Sequence, residues 1–344
     1  VSLSSAFLIL VVQYLFIWVA FRFIDCSPEV EALSKQYFFI RVWAAPATLS
    51  LFVFKGWFIG MQNTVSPMAI DVTVNVVNFV ASVYLGLYTD LGFAGIAWGT
   101  LIAQYFGLIL SVVLFAIYYG KLFHYFNLKE SLHVEDMKAF FKMNGNLFIR
   151  SLCFMLIYSG FTALAAKYGD IELAVSSIMM KLLMLFSYFI DGFAYAGEAL
   201  TGKYIGAKER PSLVKAVKLL FVWSAIIGVL STLAYAFAGE WMVKLMTTDP
   251  QVFQGTQPYL FWLVLMPVIS CAAFMWDGIY IGATASIPIR NSMIWACVAF
   301  YLVYFIFKGV EQSIQALWYA YFAHLVARTI YLSASAKKYV FDKC

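Results

Sequence analysis

Charge is what this chain lacks most. Only 12% of its 344 residues are Asp, Glu, Lys or Arg, against about 25% in a soluble globular protein. That leaves too little polar surface to cover a soluble core, and with 63% hydrophobic residues the composition is that of a polytopic membrane protein. Catalytic motifs are missing as well. There is no Walker phosphate loop, no His-Glu-x-x-His and no Gly-x-Ser-x-Gly, so neither an ATPase nor an intramembrane hydrolase has a framework to work from. The chain has three histidines; His124 and His133 fall in a connection, and His324 stands alone on an apolar stretch. The five cysteines, Cys26, Cys153, Cys271, Cys297 and Cys344, are scattered, with no Cys-x-x-Cys and no histidine at ligand spacing. They read as small apolar packing residues rather than a metal or redox site. An enzyme, a metal and a cofactor are all unexpected, and the net charge of +5 sits in a few connections rather than in a nucleic-acid-binding patch.

What is present is length of apolar helix. A membrane crossing takes about 20 mainly apolar residues, and by that measure ten spans are expected, at about 2–24, 37–60, 68–88, 92–119, 144–168, 174–200, 214–238, 256–282, 288–307 and 314–335. They are too many and too long for a signal peptide. Val1 already lies inside an apolar run with no Met before it, so the natural N-terminus is expected upstream. The connections 120–143 and 202–218 and the tail carry Lys and Arg, whereas 25–36 carries Asp25, Glu29 and Glu31 against Lys35. Alternating spans put all three basic segments on one side, which the positive-inside rule makes the cytoplasm.

The sequence also repeats. Pro28 and Pro250, Val30 and Val252, Tyr37 and Tyr259, and Gly60 and Gly282 each stand 222 apart, while Pro46 and Pro267, and Pro67 and Pro288, stand 221 apart. In each copy a proline lies in an apolar segment, a Gly-x-x-x-Gly pair closes it (Gly56 and Gly60; Gly278 and Gly282) and a proline opens the next. Both copies run in the same direction, which describes a parallel repeat. The expected division is 1–119, four helices of an N-terminal half; 120–143, a cytoplasmic connection; 144–335, six helices of a C-terminal half; and 336–344, a cytoplasmic tail. Two six-helix halves would make twelve spans in the intact protein.

Ionisable groups inside a bilayer are costly, by about 2.5 kcal/mol or more each, and therefore pair or face a cavity. The candidates are Arg41, Lys55, Asp71, Arg150, Lys181, Asp191, Glu198 and Asp277. Asp71 and Glu198 lie near span ends, where an interfacial residue is an equal reading. Asp277 lies five residues before the end of its span; deprived of hydration it could trade a proton, or it could be a structural hydrogen-bonded Asp. Asp191 is near mid-span, and Arg150 is a candidate partner for it. Pro46 and Pro267 remove helical donors and are expected as kinks in moving or cavity-lining helices. Met179, Met180 and Met184 read equally as packing.

Four stretches carry a family resemblance: Arg41-Val42-Trp43-Ala44-Ala45-Pro46; Gly56 through Asn63; Asp191 through Glu198 followed by Gly202 and Gly206-Ala207; and Asp277-Gly278 with Gly282-Ala283-Thr284. Together the chain resembles the multidrug and toxic compound extrusion (MATE) transporters, in the branch named for DNA-damage-inducible protein F. That resemblance implies an all-α fold of two six-helix lobes around a cavity, and export of organic, often cationic, drug-like compounds in exchange for protons or sodium ions. It also implies that the first two family helices, with the acidic group many relatives carry on the first, lie outside this sequence. Ser82 stands where members often have an Asp four residues after the Asn matched by Asn78, and Lys55 stands where they are apolar. The expected coupling carboxylates are then Asp277, Asp191 and Glu198, with Arg41, Pro46, Asn78, Arg150, Lys181 and Pro267 as cavity or gating residues.

The reading is a monomeric, cation-coupled efflux antiporter of the inner membrane. Its partners would be drug-like small molecules, the coupling cation and the lipid bilayer, with no nucleic acid. Two rivals stand beside it: a lipid-linked precursor flippase of the same superfamily, which needs a larger and more basic groove than Arg41, Lys55, Arg150 and Lys181 supply, and a non-transporting receptor or scaffold.

Overall fold

The structure, a computed structural model, describes residues 1–22, 28–125, 134–309 and 314–344. Asp25, Cys26, Lys129 and His133 lie outside the described residues. Among the described residues every element is helical: α1 (Ser2–Ala20), α2 (Pro28–Arg41), a 3-10 turn (Val42–Ala44), α3 (Ala45–Gly60), α4 (Val65–Leu87) and α5 (Phe93–Tyr119), then α6 (Val134–Ala165), α7 (Asp170–Gly206), α8 (Arg210–Met246), α9 (Pro250–Thr256), α10 (Leu260–Gly282), α11 (Ser286–Lys308) and α12 (Gln315–Tyr339). The α2–α3 and α9–α10 pairs each follow one expected span, so ten segments run where ten were expected. Nine of the described segments are long and apolar enough to cross a membrane. The tenth, α12, has 25 residues but carries His324, Arg328, Lys337 and Lys338.

The chain divides into two compact units, Val1–Leu128 and Lys129–Cys344. Much of what was expected as the 120–143 connection is helical, with 3-10 structure at Gly120–Tyr125 and α6 starting at Val134; residues 126–133 lie outside the described ones. Likewise the basic segment 202–218 shrinks to a turn between α7 and α8. Lys, Glu and Ala are good helix formers, so helices continue past the apolar stretch that a hydropathy reading detects. The expected tail is docked: Val340 is fully buried, and Phe341–Lys343 form a 3-10 turn.

The first unit packs around Leu51, Phe58, Ile70, Val74 and Ala103. Gly95 and Gly99 of α5 lie so close to Leu85 and Ser82 of α4 that a Cβ on either would sit 2.4 Å from an oxygen, the small-residue contact by which helices approach in a bilayer. In the second unit α10 is central, packed on α7, α8 and α12. A Cβ at Gly278 would lie 2.0 Å from the Ala194 carbonyl oxygen, and one at Gly282 would lie 2.2 Å from that of Glu198. This Gly-x-x-x-Gly pair seats α10 on α7, whereas its sequence counterpart, Gly56 and Gly60, has no atom of the described residues within 4 Å of a built Cβ.

The repeat extends into the backbone. After α3, Met61 and Asn63 donate to the carbonyls of Trp57 and Phe58; after α10, Ala283 and Ala285 donate to those of Ile279 and Tyr280. Each closure carries a non-glycine residue at positive φ, Gln62 (62°) and Thr284 (50°), again 222 apart in sequence. Such a residue costs about 1–2 kcal/mol. Lys208 (56°) closes α7 in the same way, so it is the 222-residue spacing of Gln62 and Thr284, in step with the Pro and Gly matches, that ties their two turns to the repeat. The two prolines do not match in role. Pro46 sits in the first turn of α3, after the 3-10 break, where its missing N–H is no loss, so it is a helix start and not an interior kink. Pro267 is inside α10, and Thr232 of α8 donates to the neighbouring Val264 carbonyl at 2.9 Å. The difference arises because Pro258 starts the second copy's own 3-10 turn, leaving Pro267 further along the helix.

Candidate functional site

The second unit contains a cavity of about 430 Å³ whose lining includes Arg150, Asp191, Glu198, Asp277 and Arg328. Five ionisable side chains from four helices thus meet at one place in a sequence with few to spend. Helix α7 supplies one face of it. Tyr188, Asp191, Tyr195 and Glu198 all line the cavity at three- and four-residue spacing, which places them on one side of a helix. Helix α6 brings Arg150, Phe154 and Tyr158; α10 brings Phe274 and Asp277; and α12 brings Tyr321 and Arg328.

Asp277 is the hub. Its Oδ2 accepts from Arg150 Nη2 at 2.7 Å and from Arg328 Nη2. Arg328 is 3% exposed and Asp277 7%, so the bond between α10 and α12 is an interior ion pair. Such a pair survives burial because each ion offsets the other's desolvation. The Oδ1 of Asp277 and the Nε atoms of both arginines are buried with no hydrogen-bond partner among the described residues. Gly278 follows Asp277 directly, and its contact with Ala194 holds that part of α10 against the acidic face of α7.

This geometry revises two expectations. Arg150 bonds to Asp277, across 127 residues of sequence, and Asp191 has no ion-pair partner among the described residues, although it lies within electrostatic reach of both. The deep basic residues also include Arg328, beyond the four counted from sequence. Its signal was available: it is an ionisable residue inside the expected span 314–335, the criterion that singled out Arg150.

The other candidates lie elsewhere. Lys181 is exposed and lines a separate pocket of about 90 Å³ with Tyr158, Ser176 and Ser177. Pro267 stands on α10, ten residues before Asp277. In the first unit, Arg41 is the last residue of α2, where a cation suits the helix C-terminus. The single hydroxyl proton of Ser82 is within reach of two acceptors, Asn78 Oδ1 at 3.0 Å and the Ile96 carbonyl of α5 at 3.3 Å. Lys55 and Asp71, expected separately as costly charges, are bonded to each other between α3 and α4.

A bundle of apolar helices enclosing a charged, aromatic-walled cavity has the build of a membrane transporter rather than of an enzyme. The MatE family model matches residues 1–85 and 147–307, and the chain belongs to that family, the MATE transporters. It is 29% identical over 337 residues to the DNA damage-inducible protein F of Escherichia coli, covering 97% of this chain and 72% of that protein. It is 23% identical to Protein DETOXIFICATION 43 of Arabidopsis thaliana, covering 88% of this chain and 56% of the relative. Among solved structures, the bent form of the Vibrio cholerae MATE transporter VcmN superposes with a TM-score of 0.82 at 16% identity, over 98% of this chain and 76% of that one.

Proposed function

We propose that the protein is a cation-coupled efflux antiporter that exports organic, often cationic, compounds by alternating access in the cytoplasmic membrane. The observation that carries this reading is the pair of carboxylates, Asp191 and Glu198, on the cavity wall without ion-pair partners among the described residues, beside a third, Asp277, that already has two. Unpaired carboxylates in a largely apolar, aromatic-lined cavity favour a cation, whether a proton, a sodium ion or the charged nitrogen of a drug. Competition between coupling ion and drug for those groups supports exchange, because each can bias the transporter only through its differential affinity for two states. The name of the Arabidopsis relative, Protein DETOXIFICATION 43, agrees with drug-like substrates.

The test is drug efflux from vesicles containing the protein, under an imposed proton gradient and separately under a sodium gradient. One gradient should drive efflux, and Asp191→Asn should lose that dependence. Vesicles in which the drug evokes no cation flux under either gradient would overturn antiport and favour a receptor or scaffold.

A further inference from the structure

A second cavity, of about 540 Å³, opens at the end of the second unit where α6 begins, α10 turns into α11 and α12 gives way to the tail. It shares no lining residue with the charged cavity above. Asn146 and Ser286 stand in its wall, 6% and 7% exposed, and their hydrogen bonds run in one direction. Arg290 Nη1 donates to Asn146 Oδ1 at 3.0 Å, and Asn146 Nδ2 donates to Ser286 Oγ at 2.9 Å. An arginine only donates, which fixes the Asn146 amide with its nitrogen toward Ser286. Ser286 is therefore the acceptor of that bond, and its own proton has no acceptor among the described residues. Ser286 also begins α11, whose first N–H groups lack acceptors within the helix and have no side-chain cap. Lys142 and Lys343 line the same cavity. Neither is ion-paired among the described residues, and Lys343 gives the Ala283 carbonyl only one of its N–H groups. Donors and cations converge here, and no carboxylate lines the wall. Much of the rest is apolar, including Phe140, Met143 and Ile287.

We propose that this cavity holds the headgroup of an anionic phospholipid. Its phosphate is taken by Ser286, the start of α11 and Lys142, and an acyl chain lies along Phe140 and Ile287. A phosphate diester is an anion with acceptor oxygens only, which suits a wall of donors. A free phosphate would leave the apolar wall uncovered, whereas a lipid covers it. Both α6 and α11 are long and apolar enough to cross a membrane, so their ends at this cavity lie at headgroup level, where each basic residue adds attraction to anionic lipid. The site is independent of the antiport reading.

Native mass spectrometry of the detergent-purified protein tests it, with phosphatidylglycerol (anionic) and phosphatidylcholine (zwitterionic) of the same acyl chains as probes. Phosphatidylglycerol should give one adduct held at least about tenfold more tightly than phosphatidylcholine. Lys142→Gln, a change at an exposed side chain, should weaken that adduct about fivefold, and Ser286→Ala about tenfold. Lys215→Gln is the control: Lys215 is exposed near the start of α8, at the end tied to the tail by Arg210 and Asp342, but outside the cavity. It should leave the adduct within about twofold. Millimolar glycerol phosphate should not displace the lipid. Equal affinity for the two lipids, or equal weakening by the two lysine variants, would overturn the proposal, and neither depends on Ser286→Ala folding. Displacement by glycerol phosphate would overturn it too, by assigning the site to a free phosphate.

Discussion

Replacing Asp277 by Asn is the sharpest perturbation available, because it removes a charge and leaves the shape. Asp277 offsets two guanidiniums at once, and the nitrogens that share its Oδ2 stand no more than about 5 Å apart. At an effective dielectric of about 20, two unit charges at that distance repel by about 3 kcal/mol. Arg328, at 3% exposure, cannot turn to water, so its desolvation adds to that repulsion, and the expected loss is about 3–5 kcal/mol, the usual result of breaking a buried pair from one side. Arg328→Met is milder, about 1–3 kcal/mol, because Asp277 keeps Arg150. Arg150→Gln is mildest, about 1 kcal/mol or less, since its side chain is 32% exposed and solvent screens it. The decisive variant is the double replacement Asp277→Asn with Arg328→Met, which removes both buried ions and should be more stable than Asp277→Asn alone. Thermal unfolding of the detergent-purified protein, run as a double-mutant cycle, measures all four. Additive losses, or an Asp277→Asn protein as stable as Arg150→Gln, would refute the charge accounting. It follows that lost export in Asp277→Asn identifies a coupling group only where the variant keeps its fold.

Three further outcomes are expected. Gly278→Ala should cost about 1–3 kcal/mol, as overpacking does, because its Cβ would lie 2.0 Å from the Ala194 carbonyl oxygen, while Gly56→Ala, with no atom of the described residues within 4 Å, should be neutral or stabilising; thermal melts of the two variants decide it. Lys343, in the docked tail, is exposed as a residue but donates its ammonium to the Ala283 carbonyl at 2.6 Å, and partial desolvation there lowers its pKa. Its folded pKa lies below the unfolded value of about 10.4, so between the two the unfolded chain holds more protons and stability rises with pH. Melts across that window should show the rise in the unaltered protein and a smaller one in Lys343→Met. Finally, Lys55→Met should cost less than Asp277→Asn, no more than about 1 kcal/mol, because its partner Asp71 is 53% exposed and relaxes on its own; an equal loss in the two melts would contradict this.

The helical class, the span positions and the repeat were all legible in the sequence, because apolar length and the fixed spacing of Pro and Gly record them directly. Much of the site was not. Arg150, Asp191, Glu198 and Asp277 were each singled out by their cost in a membrane, but cost does not choose partners. Arg150 had two acids to pair with, and the choice depended on how α6 and α10 pack, which periodicity does not encode. Arg328 was passed over because α12 was read for its apolar length. The polar residues that this reading passed over also set α12 apart from the nine more apolar segments. Pro46 and Pro267 show the converse limit: the spacing of the two prolines is nearly conserved, but a 3-10 break in a different place turns one into a helix start and leaves the other inside a helix.

The matched turns at Gln62 and Thr284 fix the register of the two copies at 222, and that register places Lys55 of α3 on Asp277 of α10. One position in the repeated frame therefore carries a cation in the first copy and an anion in the second. Each is bonded to charges on neighbouring helices: Lys55 to Asp71 of α4, and Asp277 to Arg150 of α6 and Arg328 of α12. The frame specifies that an ion sits about one turn before the helix end, and the neighbours specify its sign. The consequence differs between copies. In the first, one cation meets one anion, and Asp71 is largely open. In the second, one anion meets two cations and the cluster is buried except at Arg150. The open pair encloses nothing, whereas the buried cluster joins three helices beside a cavity, and that asymmetry supports placing the proposed coupling chemistry in the second copy rather than the first.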